Sequence, residues 1–280
     1  MSKLEDISVR TPGFGTLTGL AAGRGEPTLL LLHGIGGNAG GWVEQLTAFS
    51  SRQRTVAWNA PGYASSTPLA SPIPRLRDYA DAAIAFLDAL GASGPVFLLG
   101  HSLGGLVASL VAALLPHRVA RLVLSDCSSG HLRYPKEERD RLLQSRLAFD
   151  EKDPAAYARS RVANLVSPSA PPALVERAVA ILSNLRQPGF GQATRMISES
   201  DIFEHASRIA VPTRIICGTE DRVTPEALNR RIAGAIPGAD YVSIPGAGHW
   251  SFLERPVEFN RAVLEFLEAP GDAPLRAASA

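Results

Sequence analysis

Short apolar runs recur along the chain at residues 28–32, 54–58, 96–99, 121–126, 213–218 and 241–244. Several are continuously apolar rather than alternating, which suits strands buried on both faces, as in a parallel sheet. Residues 5–20 read as a β-hairpin that turns at Thr11-Pro12-Gly13. Helical spacing fills the intervals. Over 75–90 the apolar positions Leu76, Tyr79, Ala80, Ala83, Ile84 and Leu87 recur on one face, and Gly91 closes the helix. Further helices are predicted over 42–49, 106–115, 225–235 and 256–268. Strand and helix in short alternation define an α/β fold, a mostly parallel sheet covered on both faces.

The alternation stops between 129 and 210. That stretch lacks an obvious strand, is rich in Arg, Ala, Glu and Leu, and is cut by Pro154, Pro168, Pro171-Pro172 and Pro188-Gly189. It reads as a helical insertion lying over the sheet. The expected organisation is therefore a core from 1–128 and 211–268, an inserted lid from 129–210, and a disordered tail from 269–280.

The chain has 280 residues, 45% hydrophobic and 20% charged, enough for one large core plus an insertion. A net charge of +1 leaves no basic surface for nucleic acid. The first residues carry no apolar signal region and no stretch has membrane length, so a cytoplasmic location with no membrane partner is expected. Cys127 and Cys217 each end a predicted strand and are expected as buried free thiols. No Cys/His cluster has metal spacing, and no metal or cofactor is expected. The partner expected is a small-molecule substrate. Self-association is left open by the pattern.

Candidate chemistry gathers just after the predicted strands. Gly100-His101-Ser102-Leu103-Gly104 lies between a buried strand and an Ala/Leu-rich helix. A serine on so sharp a turn has its hydroxyl pushed out at the strand end. A hydroxyl is a poor nucleophile at neutral pH and needs a base that titrates near 7. Among six histidines, His249, between Gly248 and Trp250 after the last strand, is best placed. His33 is expected to hydrogen-bond within its own loop, His101 to point away from Ser102, and His117, His131 and His205 to lie at the surface or at helix caps. An acid must hold the imidazole tautomer. Asp221 is the first choice, on the chain order Ser, Asp, His, with Asp126 as its rival and Glu220 third. The developing oxyanion needs two backbone donors, assigned to the N–H groups of Leu103 and of Ile35 in the loop after Leu32. Trp250 is a candidate wall of the acyl pocket. Arg161 and Arg195 are candidate clamps for a substrate carboxylate.

Taken together, His33-Gly34, Gly100-His101-Ser102-Leu103-Gly104-Gly105, Gly218-Thr219-Glu220-Asp221 and Gly248-His249 resemble the α/β-hydrolase superfamily. The resemblance implies an eight-stranded, mostly parallel sheet flanked by helices, a helical lid, and hydrolysis through an acyl-enzyme. Residues 57–63 are similar to enol-lactone hydrolases and related carboxylesterases, except that Asn59 stands where an Asp often does. Glu220-Asp221-Arg222, Gly248-His249-Trp250 and Glu258-Phe259-Asn260-Arg261 resemble hydrolases that cleave carbon–carbon bonds in meta-cleavage products. Those enzymes usually carry Asn where this chain has His101. The expected function is hydrolysis of a small carboxylic ester or enol-lactone. The alternatives are carbon–carbon hydrolysis with the same triad, and a non-catalytic ligand receptor on a hydrolase scaffold.

Overall fold

A computed structural model describes residues 3–149 and 151–270. The chain opens with the hairpin β1 (Glu5–Thr11) and β2 (Gly15–Ala22), followed by β3 (Leu29–Leu32), α1 (Val43–Phe49), β4 (Thr55–Asn59), α2 (Leu76–Ala89), β5 (Val96–His101), α3 (Leu103–Leu114) and β6 (Val119–Ser125). The helical stretch carries α4 (Lys136–Leu147), α5 (Pro154–Leu165), α6 (Pro172–Leu182) and α7 (Gly189–Ser198). Alternation resumes with β7 (Thr213–Gly218), α8 (Glu226–Ala235), β8 (Asp240–Ile244), α9 (Ser251–Glu254) and α10 (Pro256–Leu267).

Eight strands form one sheet in the order β1-β2-β4-β3-β5-β6-β7-β8. The β1–β2 and β2–β4 pairs are antiparallel, and every pairing from β4 through β8 is parallel. The apolar runs explain the layering. All four residues of β3 and all five of β4 are buried, because helices cover both faces of the central sheet. Each buried leucine there contributes roughly 1.5–3 kcal/mol relative to exposure. Helix α3 is apolar nearly all round and runs through the interior, with Leu106, Val107, Ala108 and Ala112 inaccessible. Helix α4 is its opposite, mostly charged, with Leu142, Leu143 and Leu147 half-buried and no fully buried residue.

Register places the working loops on one rim. Leu32 pairs with Gly100, His101 with Ser125, and Gly218 with Ile244. The loops after β3, β5, β6, β7 and β8 therefore leave the same edge, where parallel α/β sheets bind ligands. The helix after β5 begins at Leu103, three residues earlier than its apolar run suggests, because Gly104 and Gly105 are already helical. Both cysteines are buried and unpaired, as expected. Among the described residues no helix is long and apolar enough to cross a membrane. Of the tail expected to be disordered, 271–280 lie outside the described residues.

Candidate active site

Ser102 sits between β5 and α3 with φ 52° and ψ −113°, a left-handed conformation that costs a non-glycine residue energy. The surrounding structure holds it there. Its N–H donates to Ser125 O at 2.9 Å and its carbonyl accepts from Ser128 N at 3.2 Å. Two glycines make the turn possible by close approach. A Cβ on Gly104 would fall on the Leu32 carbonyl, and one on Gly100 on the Gly104 carbonyl.

His249 arrives from the loop after β8. Its Nδ1–H donates to Asp221 Oδ2 at 2.9 Å, which leaves Nε2 free to accept a proton. Asp221, after β7, is held on every side: Oδ1 accepts from Val223 N (2.7 Å) and Thr224 N (2.9 Å), and Thr224 Oγ1 lies 2.7 Å from Oδ2. Burial opposes ionisation of Asp221, but the His249 charge and the donated hydrogen bonds prevail and hold the carboxyl well below its usual range. Burial likewise works against the imidazolium of His249, and the facing Asp221 carboxylate outweighs it, so its pKa lies above 6.5.

Asp126 forms no hydrogen bond with the imidazole. Its Oδ1 accepts from Gly218 N at 2.8 Å, and its Oδ2 accepts from Ser125 Oγ at 2.7 Å and Ser251 Oγ at 2.5 Å. Burial, with the nearby Asp221 charge, raises its pKa to about 7. Glu220 is exposed. Asp126, Cys217 and Asp221 offer ligand atoms within 4.8 Å of one another. Each carboxylate oxygen already accepts from protein donors, and burial pushes the Cys217 thiol upward, so this donor set does not suit a cation.

The loop after β3 lies against the Ser102 turn: a Cβ on Gly34 would stand 3.1 Å from Ser102 Cβ. The N–H groups of Ile35 and Leu103 donate to no described acceptor. The Ile35 carbonyl accepts from Tyr63 Oη at 2.8 Å, which fixes that peptide's orientation. His33 bonds within this region, Nδ1 to Gly34 O and Nε2 from Ala60 N. His101 Nε2 donates to the His249 carbonyl at 2.8 Å, and burial lowers its pKa to about 3. Asn59 Oδ1 accepts from Ala39 N, and its Nδ2 donates to Thr18 Oγ1, tying the loop after β3 to the hairpin.

A cavity of about 350 Å³ opens above this rim. Ser102, His249, Ile35, Trp250 and Arg161 line it. Arg195 does not. Its place on α7 turns it away from the cavity, with its guanidinium beside Gly191. His205 caps two short helical turns, as expected, but it is buried rather than exposed, and His131 departs from the expectation of a surface or cap position. His131 is buried, stacks on Tyr134 with centroids 5.0 Å apart, and lines the cavity. His205 is buried under the sheet-covering layer with Nε2 2.8 Å from Ser109 Oγ of α3. Both lie on segments whose packing partners are remote in sequence. His117 is exposed.

Sequence reasoning passed over three residues at this site. Thr224 packs between Asp221 and His249, with Oγ1 3.1 Å from Nδ1. The signal was present, since Asp-x-x-Thr before a helix is a common local hydrogen-bonding pattern. Glu254 accepts from Gly248 N (2.8 Å) and Ser167 N (2.9 Å), so it ties the His249 loop to the end of α5. No local pattern announces it. Arg146, near the end of α4, also lines the cavity.

Fold and site together define a hydrolase of the α/β class. The chain belongs to the alpha/beta hydrolase fold family, whose model matches residues 27–256. It is 27% identical over 252 residues to (E)-2-((N-methylformamido)methylene)succinate hydrolase of Acinetobacter baylyi, covering 88% of this chain and 92% of that one. It is 29% identical over 260 residues to 2-hydroxy-6-oxononadienedioate/2-hydroxy-6-oxononatrienedioate hydrolase of Burkholderia vietnamiensis, covering 88% of each. The enol-lactonase structure from Burkholderia xenovorans LB400 shares the fold, with a TM-score of 0.81 at 22% identity over 93% of this chain and 99% of that one.

Proposed function

We propose that this protein is a serine hydrolase that cleaves a small carboxylic ester or enol-lactone through an acyl-enzyme. The observation that carries this reading is the 2.9 Å contact between Asp221 and His249 beside a cavity that His249 shares with the strained Ser102. Ser102 Oγ attacks the carbonyl carbon and passes its proton to His249 Nε2. Asp221 fixes the tautomer and stabilises the imidazolium. The oxyanion takes hydrogen bonds from the N–H groups of Ile35 and Leu103, two donors with no partner of their own among the described residues. His249 then protonates the leaving oxygen. Water, deprotonated by the same imidazole, clears the acyl group and frees Ser102.

Helices α4 to α7 act as the lid. Leu182 of α6 reaches the Gly36 position of the oxyanion loop, so lid and rim are packed together. A cavity of about 350 Å³ suits a small substrate.

The test is Ser102→Ala. The fold is retained, judged by an unchanged melting temperature, and turnover of a short-chain p-nitrophenyl ester falls by at least about 10³-fold. Undiminished turnover removes Ser102 from the mechanism.

Similarity to the Burkholderia vietnamiensis hydrolase favours a second reading, carbon–carbon hydrolysis with the same triad. Assay of a dienol ring-fission product beside the ester separates the two. Faster turnover of the dienol would favour the second.

A further inference from the structure

The cavity carries a charge that the hydrolytic steps do not use. Glu138, Leu142 and Arg146 of α4 are spaced four residues apart, so they share one face of the helix, and all three line the cavity. That face explains an otherwise odd helix. Helix α4 has no fully buried residue to anchor it, yet it delivers a guanidinium toward the chamber that holds Ser102.

The cavity's charged groups are unequal. Arg161 donates to Ser145 O at 3.1 Å and Ser145 Oγ at 3.2 Å, and its guanidinium lies 5.2 Å from the Tyr157 ring centroid. Arg222 donates to Ala163 O at 2.7 Å and Val166 O at 3.2 Å. Arg146 donates to no described acceptor and forms no described ion pair. Its side chain is partly shielded, and the groups that feel its charge include the phenols of Tyr157, Tyr63 and Tyr134, the like charge of Arg161 and the imidazoles of His131 and His249. Glu138, the one acid on the cavity wall among the described residues, is exposed two turns away on α4. An arginine stays charged in a protein, and a shielded guanidinium without an anion is costly. Five N–H donors in a planar fork match a carboxylate.

We infer that Arg146 is a specificity residue that binds a free carboxylate on the substrate, so the preferred substrate is an ester or lactone bearing a second, unreacting acid group. The inference rests on the serine-hydrolase reading for the reacting carbonyl, and it adds the anion that the cavity takes. Arg146 supplies a bidentate pair. Arg161, already tied to Ser145, reinforces the local positive field. The carboxylate fixes which end of the substrate faces Ser102.

Two matched pairs of esters test this: mono-p-nitrophenyl adipate against p-nitrophenyl hexanoate, and 4-acetoxybenzoate against phenyl acetate. They place the extra carboxylate on the acyl and on the leaving side respectively. The wild-type protein is expected to prefer the acidic member of at least one pair in kcat/KM. Arg146→Met is expected to lower that preference by at least about tenfold, chiefly through KM. Arg146→Lys keeps the charge but loses the fork, and is expected to fall in between; it carries the test should Arg146→Met fail to fold. Where the esters are turned over, no preference for either acidic ester, or a preference that survives both substitutions, overturns the inference. Calorimetric binding of adipate gives a readout independent of turnover. Binding to wild type that weakens at least about tenfold in Arg146→Met supports the anion site even if all four esters are inert, an outcome that would defeat only the serine-hydrolase reading. Equal adipate binding by the two proteins, or none, counts against the anion site whatever the esters show.

Discussion

Two buried carboxylates lie behind the imidazole of His249, and their surroundings give them different states. Asp221 accepts from His249 and from backbone N–H groups and is held ionised. Asp126 faces two serine hydroxyls and Gly218 N, and burial lifts its pKa to about 7. In the proposed mechanism the base must be neutral to take a proton from Ser102. With the His249 pKa above 6.5, kcat/KM should rise with pH through a midpoint above 6.5. Asp221→Asn removes the carboxylate that outweighs burial, so the midpoint should move down as the rate falls by about 10⁴-fold. Asp126→Asn should cost at least about a hundredfold less than Asp221→Asn. A pH–rate series on the three proteins checks all of this, and equal losses at the two positions would count against Asp221 as the orienting acid.

At the scale of elements, the decisive joint is the one where β5 becomes α3. Gly104 lies so close to β3 that a Cβ would overlap the Leu32 carbonyl oxygen. That contact is with backbone, which cannot rotate away. Gly104→Ala should therefore destabilise the fold by about 2 kcal/mol or more, although Ala is the better helix former. Chemical denaturation of the purified variant measures it. The same substitution at Gly234 in α8, where nothing lies within 4 Å of the added Cβ, should be neutral or stabilising by up to about 1 kcal/mol. The contrast between the two separates steric contact from propensity.

For the molecule as a whole, both thiols lie within the folded core. Cys127 follows β6 and Cys217 belongs to β7; both are buried, and burial pushes both thiols upward, away from the reactive thiolate. The native protein should leave both unmodified by Ellman's reagent over minutes, and denaturant should release both at once as the sheet comes apart. A thiol that reacts rapidly in the native state would show that the sheet rim opens locally.

Apolar runs and glycine punctuation located the strands, their alternation with helices along the chain and the loops that carry Ser102, Asp221 and His249, because burial on both faces leaves a continuous hydrophobic signature and tight turns require particular residues. Chain order could rank Asp221 over Asp126, but only the packed rim showed which carboxylate meets the imidazole. The helical stretch was readable as helices and unreadable as a wall. His131, His205 and Arg146 lie in it with nothing nearby in sequence to say that they turn inward, whereas Arg195 turns out of the cavity. Local spacing fixes which residues share a helix face. Which faces meet the cavity depends on contacts between segments far apart in the chain, and those exist only once the molecule has folded.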